Sequence, residues 1–288
     1  MYKTLVEDKK VTDAVNIYQY NSEIAGQYML SVTAFEKTNL NDVMNGVNEA
    51  FKNFEAEGIS QQDLNRIKAG QETAFYTNLS SVLGKGFQLA QYEIFAGTPD
   101  YINQDVKNIL AVTTEDVMRV YQKYIKRKHF VATSFVPKGE GNLILDGSSL
   151  ATVVEEKIIE GKEDSFDASV VATYERTPSK FDRSIEPEYG ESPDVKLPSV
   201  WKSTLSSGLN VLGIENHEVP LVQFQLQIKG GMLLEDTNKI GVSNMLAELM
   251  TKGTKNKTPE QLENAIESLG ATIKAYASDE SIFIAGNT

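Results

Sequence analysis

The feature that most constrains this chain is an interruption. From residue 138 to 198 the apolar periodicity that organises the rest of the sequence lapses. Gly139, Gly141, Gly147, Gly161, Gly190, Pro178, Pro187, Pro193 and Pro198 accumulate there among Asp, Glu and Ser. The stretch reads as an acidic linker, extended or partly ordered against its neighbours. Ile144 with Leu145, and Val153 with Val154, are its candidates for short edge strands. What remains is two apolar-patterned blocks, 1–137 and 199–288, and a length of 288 residues agrees with about two domains at roughly 150 residues each.

The first block alternates strand and helix patterns without a repeat of solenoid length. Tyr28, Leu30, Val32 and Ala34 alternate with a period of two, which predicts a strand over 26–34. Leu40, Val43, Met44, Val47, Phe51 and Phe54 recur at helical spacing, and Gly58 closes the pattern. Ser60 with Asp63 marks the next helix start, with Leu64, Ile67, Ala74 and Phe75 as its buried stripe. A third helical stretch covers roughly 80–95. Thr113 or Thr114 caps a fourth, with Val117, Val120, Tyr121 and Tyr124 facing inward. Residues 130–136 are apolar or small on both faces, as a buried strand would be, and Pro137 ends them.

The last block predicts a short strand over 210–214 and a longer one over 221–229. In the latter Val222, Phe224, Leu226 and Ile228 alternate with Gln223, Gln225, Gln227 and Lys229, so one face packs and the other is wet. Gly230 and Gly231 end it. Val242, Met245, Leu246, Leu249 and Met250 lie on one helical stripe closed by Gly253. Thr258, Pro259 and Gln261 give N-cap, first-turn proline and capping-box partner of a further helix, stopped by Gly270. Residues 271–285 read as two strands around Ser278, Asp279 and Glu280. Trp201 reads as an anchor where the linker enters this block.

Charge and composition narrow the chemistry. Lys and Arg number 28 against 40 Asp and Glu, a net charge of −12. That acidity argues against nucleic acid and anionic membranes, which need a basic face, and leaves peptides and proteins as partners. The absence of cysteine excludes disulfides, thiolate nucleophiles and Cys-based zinc sites. The only histidines are His129 and His217, so a multi-His metal site within the chain is excluded as well. His217 precedes Pro220 and reads as a turn or surface residue. Lys126, Arg127, Lys128 and His129 read as a solvated helix end, where cations suit the dipole. Gly84-Lys85-Gly86 lacks the spacing of a phosphate loop. No apolar run is long enough to span a membrane, and neither end carries a turn or cap, as if the chain were excised from something larger.

Several local motifs resemble the pitrilysin and insulinase zinc peptidases, the M16 family. In the last block they are residues 213–222, the Gly230-Gly231 turn, residues 241–254 ending in Lys252-Gly253-Thr254, and Leu269-Gly270-Ala271. In the first block, residues 111–117 and 58–64 resemble the family's second domain. The resemblance implies an α+β fold: M16-like α/β domains, each an antiparallel-rich sheet packed with helices. Two partial domains would be joined by a long linker, a second-type domain over 1–137 and a first-type domain over 199–288. That order looks like the middle of a two-module chain.

The same resemblance implies which residues would carry chemistry. Cleaving members hold zinc with His-x-x-Glu-His on a helix, where residues i and i+4 share a face and the Glu activates the metal-bound water. Asn244, Ala247 and Glu248 occupy the positions of the first His, the Glu and the second His. Alanine cannot act as a base and an Asn amide is a poor zinc ligand. Glu248 could ligate but holds nothing alone, and the family's third ligand would fall beyond Thr288. The family's Arg/Tyr pair, which holds the substrate carbonyl, maps to Val6 and Asp13. The expectation is therefore a part with no catalytic residues, no metal and no cofactor of its own. Zinc would belong to an upstream active domain of the parent. Partners would be peptide or unfolded protein substrates and the other module, with self-association through exposed strand edges. The alternative is a wholly non-catalytic scaffold or partner subunit. The resemblance favours a periplasmic or secreted setting, while the lack of cysteine is equally compatible with the cytoplasm.

Overall fold

The structure, a computed structural model, describes residues 1–22, 24–153, 180, 182, 184–186, 188–192, 194 and 196–288. Gly161, Pro178, Pro187, Pro193 and Val154 of the linker lie outside them. The chain divides into two compact units, Met1–Ser148 with Asn216–Thr288, and Ser149–Glu215. It is mixed helix and antiparallel sheet.

In the first unit, strands β1 (Thr12–Asn21) and β2 (Gly26–Ala34) form an antiparallel hairpin. β1 carries a register shift between Thr12 and Val15. Thr12 is buried there, and its Oγ1 donates to the Thr33 carbonyl at 2.7 Å while accepting from the Ala14 N–H at 3.2 Å, so the irregularity leaves no stranded polar group. Helix α1 (Leu40–Glu57) packs Val43 and Val47 on Leu5, which sits in a π-helical turn over Lys3–Asp8. Leu30, Val32, Val15 and Phe51 close around this cluster. Gly46 permits the approach, since a Cβ there would lie 2.5 Å from Leu5 Cδ2.

Four further helices follow: α2 (Gln61–Leu79), α3 (Val82–Ala96), α4 (Ile102–Ala111) and α5 (Thr114–Tyr124). Each start but that of α4 carries a side-chain cap at the residue before it. Ser60, Ser81 and Thr113 accept from the Asp63, Gly84 and Asp116 N–H groups, and Thr113 with Asp116 makes a reciprocal capping box. α4 has no counterpart in the periodicity reading. It enters through a 3₁₀ turn over Pro99–Tyr101, capped by Thr98.

The segment 216–288 builds strands β5 (Gln223–Lys229), β6 (Thr272–Ala277) and β7 (Ser281–Asn287) into one antiparallel sheet in the order β5-β7-β6. Helices α6 (Val242–Met250) and α7 (Pro259–Glu267) lie between β5 and β6 in sequence, and α6 packs on β6 and β7. The second unit contains the hairpin of β3 (Val200–Thr204) and β4 (Asn210–Ile214). Trp201 pairs across from Gly213, and its ring occupies the space a Cβ at 213 would need.

Several sequence expectations fail. Residues 130–136 form no strand, and Phe130, Val131 and Phe135 are 74–99% exposed. Their apolar pattern suggests a buried strand, yet among the described residues both strands of the first hairpin pair only with each other. Ile144 and Leu145 follow a 3₁₀ turn over Gly141–Leu143 and form no strand. The apolar stripe of α6 is not its buried face: Val242, Met245, Leu246, Leu249 and Met250 are 37–66% exposed, while the small residues Ser243 and Ala247 are buried. Small side chains let the helix axis approach the sheet closely, which turns the larger residues away from it. Ile67, Val120 and Tyr124 are likewise exposed, and so are Val222, Phe224 and Ile228 of the face expected to pack over 221–229, where Leu226 alone is half-buried.

Candidate functional site

The turn that follows β5 sets the position of α6. The Gly230, Met232 and Leu233 N–H groups donate to the carbonyls of Glu280, Ser278 and Asp279 in the β6–β7 turn, at 2.9, 3.0 and 2.9 Å. Gly231 is required by this contact, because a Cβ there would lie 2.1 Å from the Ser278 carbonyl oxygen. A 3₁₀ turn over Met232–Leu234 then presents Glu235 to the start of α6. Its two carboxylate oxygens accept from the Gly241 and Ser243 N–H groups, each at 2.7 Å. Glu235 thus does from a distance what an N-cap side chain does locally. The Gly241 bond, followed by those to Ser243, holds its carboxyl below the usual Glu range.

On α6 the three motif positions meet different fates. Asn244 is exposed, and its Nδ2 lies 3.5 Å from Met232 Sδ. Ala247 is 2% exposed and faces the sheet. Glu248 is 69% exposed in its side chain and pairs through Oε1 with Lys252 Nζ at 3.0 Å, one helical turn on. One methyl group, one amide on a thioether and one carboxylate already paired to a cation do not fit a zinc ion, which needs three or four N, O or S ligands converging at about 2.0–2.3 Å. Among the described residues no three His, Asp or Glu side chains gather closely enough to hold a metal. Val6 lies half-buried in the Lys3–Asp8 turn and Asp13 is exposed on β1. Neither offers a hydrogen-bond donor to a developing oxyanion, and a carboxylate at Asp13 would repel one.

Periodicity alone does not reveal a second feature. A cavity of about 720 Å³ opens beside α1 and α5, lined among others by Tyr28, Phe51, Phe54, Val117, Tyr121 and Ile125. Phe51 stacks on Tyr121, and Phe54 meets it edge-on, at ring-centre distances of 5.9 and 5.0 Å. The Tyr121 hydroxyl donates to Glu55 Oε1 at 2.8 Å, and Glu55 Oε2 pairs with Lys126 at 3.0 Å. Burial and then the Glu55 hydrogen bond push Tyr121 up to about 12, and burial raises Tyr28. Lys126, followed by Tyr121, lowers Glu55. The phenols are neutral at pH 7, and the cavity suits an apolar or aromatic side chain, with Asp116 and Arg119 of its lining paired to each other at 2.8 Å. The signal for it was present in the aromatic spacing Phe51, Phe54 and Tyr121, but that spacing also describes an ordinary core.

Comparison with known proteins agrees with the local motifs. Residues 210–285 match the family described as Insulinase (Peptidase family M16). Over 100 residues the chain is 29% identical to the mitochondrial-processing peptidase subunit beta of Dictyostelium discoideum, which covers 34% of this chain and 20% of that one. The chain therefore spans about a fifth of that relative's length. The crystal structure of the periplasmic protease PqqL from Escherichia coli aligns with 98% of this chain and 32% of that one, at 14% identity and a TM-score of 0.35. At that score the alignment adds nothing to the assignment. The family match covers the segment that holds β4 to β7, and over it the chain is similar to the insulinase-type peptidases, M16.

Proposed function

We propose that this chain is the non-catalytic central part of a zinc-dependent endopeptidase of the insulinase type. Peptides would be degraded in a clamshell chamber whose metal is held elsewhere in the parent. This part would supply chamber wall, substrate-contacting surface and the linker between modules, with residues 1–137 as a second-type domain and 199–288 as a first-type domain. The observation that carries the reading is Ala247. It lies inside the family-matching segment, on the helix where cleaving members place their water-activating Glu, and it is buried against the sheet. The apolar cavity beside Tyr121 is a natural contact for apolar side chains of a peptide.

The test is hydrolysis of a mixed peptide library by the purified chain, followed by chromatography with and without chelator. The reading predicts no cleavage in either case, and chelator-sensitive cleavage would contradict it. A second reading, a wholly non-catalytic scaffold or partner subunit, is favoured by one observation: the curated relative is itself named as a subunit. The two part at the gene. The first requires a His-x-x-Glu-His helix encoded upstream of Met1, and the second does not.

A further inference from the structure

Residues 1–148 and 216–288 belong to one compact unit although the chain between them is a separate unit, so something specific must join them. The join is concentrated where α2 meets α7. Arg66 on α2 donates through Nη1 to Asn264 Oδ1 at 2.9 Å and to Glu267 Oε2 at 2.5 Å. Through Nη2 it donates to Asp63 Oδ1 on its own helix at 3.1 Å. One guanidinium thus holds two acceptors on α7 and one on α2, which uses the fixed fork of Arg in a way a lysine could not.

An independent feature points to the same seam. Gly270 ends the turn after α7 with φ at +62°, and a Cβ there would lie 2.5 Å from both the Ala69 carbonyl oxygen and Thr73 Oγ1 on α2. The backbone of one block rests directly on a helix of the other, and only glycine allows it. A second bridge, Lys85 of α3 to Glu218 ahead of β5, crosses between the same blocks. The charged side chains involved are 28–53% exposed, so water and salt reach them.

We propose that the α2–α7 seam is a polar clasp between the two blocks, with Arg66 as its central residue, and that it opens by loss or screening of charge while each block stays folded. The core around Leu5, Val43 and Val47 and the β5-β7-β6 sheet contain none of the residues of its ion pairs. The inference does not depend on the peptidase reading, because no residue of the degenerate helix takes part in it.

The chain has no cysteine, so Gln71→Cys on α2 and Glu263→Cys on α7 can be spin-labelled in the full chain and their separation measured by double electron–electron resonance. The clasp predicts one narrow distance at low salt. It predicts a broad distribution at 1 M salt, where the Debye length is about 3 Å, and the same broadening at low salt in Arg66→Ala. Arg66→Glu combined with Glu267→Arg should restore the narrow distance. Gly270→Ala, which leaves every charge in place, should lengthen it. A broad distribution in the unaltered sequence at low salt would overturn the proposal, as would an unchanged narrow one in Arg66→Ala. Loss of helical circular dichroism in Arg66→Ala would also overturn it, since the clasp would then be inseparable from folding.

Discussion

Glu235 binds the first amides of α6 with both of its oxygens, and this makes the helix start sensitive to acid. Its folded-state pKa lies below its unfolded value. Its contribution is therefore fully present above the ordinary Glu range and is lost as pH falls through the folded value. Glu235→Gln should lower the urea midpoint near neutrality and make little difference in strong acid. A pH series of urea melts on both proteins checks this. Tyr92 and Tyr121 behave in the opposite sense. Tyr92 is pushed up to about 12 by burial and then by its hydrogen bond to Asp105, and Tyr121 to about 12 by burial and then Glu55. Folded values raised above the unfolded 10.0 mean stability that is complete below pH 10 and lost as pH rises through 12. Urea midpoints of the chain should fall across that alkaline window. Those of a Tyr92→Phe/Tyr121→Phe double variant should fall less.

The elements show which signals in the sequence were strong. Helix α7 was legible to the residue: Thr258 accepts from the Gln261 N–H, Gln261 returns a bond to the Thr258 N–H, and Pro259 occupies the first turn. Thr258→Ala should cost about 1 kcal/mol by removing one half of that box, measurable as a lowered midpoint in urea. The β6–β7 hairpin and the helices α1, α2, α3 and α5 were legible for similar reasons, as caps and periods agreed. α4 was missed although Thr98-Pro99 is a helix-start signal and Ile102, Val106, Ile109 and Leu110 follow it at helical spacing. β1 was missed because Asn16, Tyr18 and Tyr20 give its outward face no clear polarity. The strand expected over 130–136 and the inward stripe expected on α6 failed for a common reason. Sequence shows that a face is apolar, and only the arrangement of neighbours decides whether anything covers it. The candidate site was legible in one respect, that Asn244, Ala247 and Glu248 share one helix, α6. Their distinct environments were not. Nor were the Glu235 clamp and the Arg66 clasp, whose partners lie 3 to 201 residues away.

At the scale of the whole molecule the chain combines a segment that matches a peptidase family with a helix whose side chains do not suit a zinc ion. Ala247 lacks any donor atom, Asn244 lies against a thioether and Glu248 is paired with Lys252. The most direct test is the zinc content of the purified chain by elemental analysis, after dialysis against a trace of zinc. Proposed chemistry held elsewhere in the parent predicts a content near zero. One zinc per chain would contradict it, because Glu248 with other side chains would then still build a site on this helix.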